Sequence, residues 1–302
     1  MKNLFITGAL GQDGIIIVNK LKKNKKLNVY SIIEKKKNIK KKKNLISLDL
    51  SKKKDIQKVF LKIKPDFILH LASRNPSYNE KGYYKYFNQN MLATKNIFFS
   101  TFEKNINAKF IFCNSSKIFK QKHGKVNENS IFFYDTPYSR FRVKSHEIML
   151  NFKKKNKINY TNVILFNHDS IYRNKKFLIP RLINSLIYKD YKFMKKIIDF
   201  NISADFSHAD DVCNGLVKIL LSKRNDDNVI LSSGKLTKIN DIIKFVIKKK
   251  NILFFFKILK NKNKIGLVGS NSFAKRKFNW FIKKDIFRAA LELYDNLNNK
   301  VK

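Results

Sequence analysis

A doubly wound α/β fold, its sheet mostly parallel and covered by helices on both faces, is predicted by three observations. Short apolar runs alternate with segments of helical periodicity through the first half of the chain. The apolar runs are continuous rather than alternating, the pattern of strands buried on both faces. After Asn167 the rhythm loosens, as it would where a small lobe follows the sheet. The expected division is a sheet domain over 1–166 and a lobe over 167–302, from which some segments return to the core of the first.

Each element follows from its residues. Leu4 to Thr7 is an apolar run ended by glycine, and Gln12 to Leu21 carries Ile15, Ile16, Val18 and Leu21 at helical spacing. Leu27 to Ile33 is a second strand, and the lysine-rich stretch Lys35 to Lys43 reads as a surface loop. Leu45 to Leu50 gives a third strand; Ile56, Val59, Phe60 and Ile63 mark the inner face of the next helix. Pro65 and Asp66 open the strand Phe67 to Leu71. A long helix is expected from about Tyr84 to Glu103, a strand over Lys109 to Asn114, a helix over Tyr138 to Phe152 and a strand over Thr161 to Phe166. Helical patterns recur near Ile179 to Tyr188, Asp210 to Leu221, Asp241 to Lys248 and Lys284 to Leu297. The segment Lys248 to Lys264, aromatic between lysine clusters, fits neither a strand nor a helix cleanly.

The sharpest local signal is the run ITGALGQDG ending at Gly14, which follows a strand and opens a helix. Gly8 permits a tight turn, Gly11 lets backbone approach a pyrophosphate and Gly14 permits close helix–sheet packing. The helix N-terminus then offers N–H groups to phosphates. Three glycines in seven positions also occur in bare structural turns, but the flanking strand and helix make a dinucleotide-binding Rossmann-type turn the better reading. A nicotinamide cofactor is then expected on Thr7, Gly8, Gly11, Gln12, Asp13 and Gly14. At the end of the second strand Glu34 could accept from the adenosine ribose hydroxyls, which favours NAD. Lys35 and Lys36 could instead pair with the 2′-phosphate of NADP, so both cofactors stay open.

The net charge of +43 raises the question of a polyanion partner. Only eight residues are Arg, and Lys, Asn, Ile and Phe are inflated together, the signature of an AT-rich coding sequence. The lysines also fall in nearly every inter-strand segment rather than along one stripe. They read as a solvated surface, with no specific nucleic acid expected. Cys113 and Cys213 stand alone, each among apolar residues, which predicts buried free thiols in a reducing compartment and no metal site. The chain begins strand-like at once, with no stretch resembling a signal peptide, and Ile252 to Leu259 is too short and too charged to span a bilayer. A cytoplasmic protein without membrane association is expected.

Several further strings, in order along the chain, carry a resemblance. The spacing TGxxGxxG is similar to that of the extended short-chain dehydrogenase/reductase superfamily, and TGALGQDG resembles the GDP-mannose 4,6-dehydratase branch, whose members typically carry TGxTGQDG. Leu48-Asp49-Leu50 resembles the segment that contacts adenine, and Ile68 to Ser73 the strand end that lines the cofactor. Asn90-Met91-Leu92-Ala93-Thr94 resembles a helix motif of the family, with Ala93 for the usual glycine. Ile164 to Ser170 is similar to LFNHES, Ala204 to Val212 to RDWGHAKDYV, and Leu267 to Trp280 to a C-terminal LLGDPxKAxxxLGW segment. The resemblance implies a Rossmann-type domain with a small C-terminal substrate lobe, a cofactor also touching Asp49, Leu50, Leu71, Ala72, Ser73 and Asn90, and a nucleotide sugar, GDP-linked, as substrate. Asn167, His168 and Arg173 are the implied substrate contacts. Relatives pair through two helices per subunit, which implies a homodimer or homotetramer.

The family works by transient oxidation at sugar C4. Its tyrosine takes the proton of the 4-hydroxyl, a lysine four residues later anchors ribose, and a serine or threonine holds the 4-oxygen. In dehydratases a glutamate takes the C5 proton. Here Tyr138 and Ser115 match the first and third positions. Arg142 stands for the lysine, one helical turn after Tyr138 and so on the same face; it keeps a positive charge there but is planar, bulkier and unable to release a proton. Lys117 stands where the dehydratase glutamate would be, Lys120 for a glycine, and Ala204 for the arginine of RDWGHA. A dehydratase would have to use or bypass Lys117 at C5. A 4-reductase or epimerase needs no elimination and fits Lys117 more easily, and a pseudoenzyme that binds cofactor without turnover is the remaining alternative. Taken alone, Tyr138 can cap or pack a helix and Ser115 can be an ordinary strand-end serine.

Overall fold

The computed structural model describes residues 1–34, 44–74, 84–253 and 264–299. Lys35, Lys36 and the rest of the lysine-rich stretch lie outside the described residues, as does most of the Lys248 to Lys264 segment.

In chain order the elements are β1 (Lys2–Thr7), α1 (Gln12–Leu21), β2 (Leu27–Ile33), β3 (Leu45–Ser47), α2 (Lys53–Lys62), β4 (Phe67–His70), α3 (Tyr84–Lys104) and β5 (Lys109–Ser115). A single 3₁₀ turn (Ser116–Ile118) precedes β6 (Gly124–Val126), α4 (Pro137–Asn156), β7 (Asn159–Leu165), β8 (Asn167–Asp169), α5 (Leu178–Ile187) and α6 (Tyr191–Asp199). There follow β9 (Ser203–Ala204), β10 (Phe206–His208), α7 (Ala209–Leu221), β11 (Asn228–Leu231), β12 (Thr237–Lys238), α8 (Ile239–Lys249), β13 (Leu267–Gly269), α9 (Ser272–Phe278) and α10 (Ile286–Asn298). They form two compact units, one of Met1–Lys120, Phe132–Ile164 and Leu216–Val229, the other of Gln121–Ile131, Leu165–Gly215 and Ile230–Lys302.

The main sheet has seven strands in the order β11-β7-β5-β4-β1-β2-β3. The pairs β1/β2, β1/β4, β2/β3 and β4/β5 are parallel, with Thr7 opposite both Ile32 and His70. Strand order therefore reverses at β1. This is the doubly wound Rossmann arrangement, in which ligands bind outside the carboxyl ends of the strands at the reversal. One face of the sheet is packed by an aromatic cluster: Phe98 meets Phe102, Phe110, Phe152 and Tyr160 at centroid distances of 5.0, 5.1, 5.7 and 5.8 Å. Phe5, Ile56, Phe60, Ile68 and Phe141 belong to the same buried set. Edge-to-face pairs add to the area term there, which a Phe-heavy sequence exploits.

The second unit has its own core, in which Ile179, Leu182, Ile183 and Leu186 of α5 are buried with Met194, Ile197 and Ile198 of α6 and with apolar faces of α8 and α10. Three two-stranded ladders, β8/β10, β9/β12 and β6/β13, complete it.

The third strand is shorter than its apolar run suggests. Asp49 accepts from both the backbone N–H (2.9 Å) and the hydroxyl (2.7 Å) of Ser51, and this local turn takes Asp49 and Leu50 out of the ladder, while the Leu48 N–H still donates to the Ile33 carbonyl (3.0 Å). Both cysteines are free and buried, and burial pushes the Cys113 thiol well up. Among the described residues no helix is long and apolar enough to cross a membrane.

Candidate functional site

The glycine turn is held open by packing that leaves no room for side chains on two of its three glycines. Gly8 ends β1 with φ +70°, and a Cβ there would come within 2.9 Å of the Ala72 backbone nitrogen. At Gly14 a Cβ would lie 2.5 Å from both Ala9 Cα and the Gly8 carbonyl oxygen, so α1 sits hard against the turn. Gly11 differs: among the described residues only the Gly8 oxygen lies in that direction, at 3.2 Å. Gly11 is also the N-cap of α1 and has no side chain with which to cap it. An anion placed against Gly11 would meet the positive end of α1. Gln12 is buried and its amide donates to Asp13 (3.1 Å).

Beneath the turn runs a buried polar chain that the sequence reading did not single out. Thr7 Oγ1 lies 2.8 Å from His70 Nδ1, and His70 Nε2 lies 3.0 Å from Thr94 Oγ1. The Ala72 N–H donates to Thr7 Oγ1 (3.1 Å), which ties the end of β4 to that of β1. Burial first, and the Arg142 charge second, pull His70 down to about 3. The ring is therefore neutral at any physiological pH, one nitrogen donating and one accepting. The Ser73 hydroxyl, next along, is buried and has no hydrogen-bond partner among the described residues. An orphaned hydroxyl of this kind calls for a ligand or water.

Ser115, Lys117, Tyr138 and Arg142 all belong to the first unit. Ser115 closes β5 and caps the 3₁₀ turn, its hydroxyl accepting from the Lys117 backbone N–H (3.3 Å); the Lys117 side chain is exposed. The same turn packs against α4. At the start of α4, Thr136 and Ser139 form a reciprocal capping box and Pro137 takes the first turn, so Tyr138 is held half-buried at the helix entrance. Arg142 is 5% exposed. Its guanidinium donates to the Cys113 carbonyl (2.5 Å) and stands 5.2 Å from the Tyr138 ring centroid, with Phe112 and Phe141 at 5.6 and 5.1 Å. A lysine ammonium reaching outward to ribose is what the resemblance implies at this position; the guanidinium instead points into the strand end.

Glu34, expected from the sequence to face an adenosine ribose, directly follows β2, and its carboxylate receives Arg74 Nη2 at 2.7 Å. Asn90, expected to touch cofactor, grips the Arg74 backbone on both sides, accepting from its N–H (3.1 Å) and donating to its carbonyl (3.2 Å). Asp49 and Leu50 flank a turn whose carbonyls at Leu50 and Ser51 take the Asn96 amide. Leu71 and Ala72 are half-buried along the strand end.

The implied substrate residues belong to the second unit. Asn167 is exposed and its amide donates to the Asp205 carbonyl (3.1 Å). His168 Nδ1 lies 2.6 Å from the Phe166 carbonyl, which places a proton on that nitrogen. Arg173 stacks on Phe177 at 3.8 Å and lies 3.6 Å from Asp169. Nearby, Asp205 is fixed by the Ser233 and Gly234 N–H groups and the Ser233 hydroxyl, an anchor for that loop.

The sequence profile of the family described as GDP-mannose 4,6 dehydratase matches residues 5–286. Among curated proteins, a GDP-6-deoxy-D-talose 4-dehydrogenase of Aggregatibacter actinomycetemcomitans is 22% identical over 236 residues, covering 76% of this chain and 74% of the relative. Among solved structures, RMD from Pseudomonas aeruginosa complexed with NADPH is similar with a TM-score of 0.79 at 15% identity, over 99% of this chain and 100% of that one. The UDP-glucuronic acid 4-epimerase from Bacillus cereus in complex with NAD gives 0.79 at 19% identity, over 98% and 96%. At these identities the solved structures speak for the fold alone.

Proposed function

This chain belongs to the GDP-mannose 4,6 dehydratase family, and from that premise we propose that it catalyses NAD(P)-dependent oxidation or reduction at C4 of a GDP-linked 6-deoxyhexose, without elimination of water. The single observation that carries this reading is Lys117. It is exposed, on the turn that Ser115 caps, at the position where the dehydratases of the resemblance need a carboxylate to take the C5 proton. An ammonium there is a poor base, whereas hydride exchange at C4 needs none at C5.

The residues present fit a dinucleotide. The open direction at Gly11, the start of α1 and the orphaned Ser73 hydroxyl would receive its pyrophosphate and neighbouring hydroxyls, and Glu34 with Arg74 its adenosine ribose. A nicotinamide cofactor supplies the hydride acceptor or donor. Tyr138 Oη would take the proton from the sugar O4 as C4 is oxidised, and return it in reduction, while Ser115 Oγ would hold O4 in line. Arg142 acts through Tyr138, holding its ring from beneath. The bond of the guanidinium to the Cys113 carbonyl also supports a second reading, a cofactor-binding protein without turnover, because that part of the group faces the strand end and not a ribose as the family's lysine would.

The test is to follow absorbance at 340 nm and mass spectra with NAD(H) or NADP(H) and two substrates, GDP-6-deoxytalose and GDP-mannose. Interconversion of the first with its 4-keto form, lost in Tyr138→Phe, is expected. Formation of a 4-keto-6-deoxy product from GDP-mannose would overturn the proposal in favour of dehydration. Cofactor binding with turnover of neither would favour the second reading.

A further inference from the structure

The Glu34–Arg74 pair occupies a telling place in the sheet. β2 and β4 flank β1, so the residues after them stand on either side of the glycine turn. Glu34 directly follows β2, Arg74 follows β4 by four residues, and their 2.7 Å ion pair bridges the two strand ends across the end of β1. An acidic residue after the second strand is the feature that selects the unphosphorylated cofactor, and an arginine nearby is the feature that accepts the phosphorylated one. Here the two are joined.

Resting on the dinucleotide reading above, we propose that this pair makes the adenosine end of the site accept NADP(H) and NAD(H) alike, Arg74 receiving the 2′-phosphate and Glu34 the ribose hydroxyls. A lone Glu34 would repel a 2′-phosphate; paired with Arg74 it carries no net charge. The guanidinium is a planar fork of five N–H donors suited to phosphate. Asn90 fixes the Arg74 backbone at both its N–H and its carbonyl, so the side chain starts from a rigid point and only its outer bonds need to turn. Both side chains are more than half exposed, at 53% and 66%, so the ion pair itself contributes little and does not hold the guanidinium against a phosphate.

Titration of NADH and NADPH into the full chain by calorimetry tests this without requiring catalysis. For the unaltered protein the two dissociation constants should lie within about tenfold of each other. Arg74→Ala should weaken NADPH by about 10- to 100-fold, the worth of a charge-assisted contact, and leave NADH within about threefold. Glu34→Gln should do the reverse, weakening NADH and tightening NADPH. Because both side chains are exposed, thermal melting of each variant should match the parent and excludes misfolding as the cause. An unchanged NADPH/NADH ratio in Arg74→Ala overturns the proposal. So does a ratio that responds to Lys35→Ala and Lys36→Ala instead, which would assign the phosphate to those lysines. If the unaltered protein binds neither cofactor, the dinucleotide reading itself fails, a result distinct from the others.

Discussion

Replacing Gly11 and Gly14 separately with alanine should divide a structural role from a ligand-binding one within a single turn. At Gly14 the new methyl would stand 2.5 Å from two backbone atoms, Ala9 Cα and the Gly8 oxygen, neither of which can rotate away. Ordinary contacts begin nearly an ångström further out, so α1 must lift from the turn. Overpacking of this kind costs about 1–3 kcal/mol, and the rigidity of the obstacle argues for the upper end. At Gly11 the methyl meets one oxygen at 3.2 Å, and the residue already has φ −74° and ψ 169°, which alanine adopts freely. The lost conformational entropy of the unfolded chain and the poorer N-cap nearly offset each other, leaving a change within about 1 kcal/mol. The Gly11 methyl would nevertheless project where a pyrophosphate must approach. Urea unfolding should therefore show Gly14→Ala destabilised and Gly11→Ala near the parent, while calorimetry shows cofactor affinity lost in Gly11→Ala. Gly11→Ala binding NADH and NADPH within about threefold of the parent would refute the reasoning, and Gly14→Ala as stable as the parent would refute its steric half.

Two further outcomes concern buried ionisable groups. His146 is buried against the Tyr160 hydroxyl at 2.8 Å, and burial, opposed by Asp227 and aided by Lys153, lowers it to about 4. Its folded pKa lies below the unfolded value near 6.5, so the stability it confers is complete above that pH and is lost as pH falls toward 4, by about 3 kcal/mol. Urea midpoints measured between pH 7.5 and 4.5 should fall more steeply for the parent than for His146→Gln; equal slopes would show that the ring is not buried neutral. Lys109 reaches across from β5 to the end of α7, where its ammonium donates to the carbonyls of Ile219 (2.6 Å), Ser222 (2.7 Å) and Arg224 (3.0 Å). Burial lowers it to about 8, still protonated at neutral pH. Lys109→Met strands those carbonyls and should cost about 2–4 kcal/mol at pH 7, visible as a lower melting temperature; a melting temperature equal to the parent's would mean that water replaces the ammonium at no cost.

Much of the sheet could be read directly because its strands are continuous apolar runs separated by helices with a clear inner face. β2 and α1 match their expected limits, Leu27–Ile33 and Gln12–Leu21, and α3 and α4 extend theirs by a residue or a turn. What escaped were elements too short to carry a period. β11 is four residues after an Asn/Asp-rich turn, and the ladders of the second unit are two or three residues long, fixed by partners distant in sequence such as Asp205 with Ser233 and Gly269. The candidate site divides the same way. Gly8, Gly11 and Gly14 announce themselves by spacing, since the geometry needs their missing side chains. Arg74 and His70 do not, because their significance lies in partners on neighbouring strands: Glu34 is 40 residues from Arg74 and Thr7 is 63 from His70. The one available signal was register, as a parallel sheet of this order brings the ends of β1, β2 and β4 side by side.

Lys117 and Arg142, which stand where the resemblance implies a glutamate and a lysine, are unlike in their physical consequences. Lys117 is exposed, and among the described residues its backbone N–H is bonded to the Ser115 hydroxyl while no bond of its side chain reaches the core. On the proposed reading, a change there alters which proton can be moved and little else. Arg142 is part of the core. Its guanidinium is bonded to the Cys113 carbonyl, lies among the rings of Phe112, Tyr138 and Phe141, and helps hold His70 neutral beneath the glycine turn. A lysine substituted there would trade a planar, ring-stacked cation for a compact, strongly hydrated one in a cavity shaped for the former. The residue at 142 is therefore coupled to the packing around the Tyr138 ring, and on the proposed reading a substitution there would move that phenol as well as change the charge beside it.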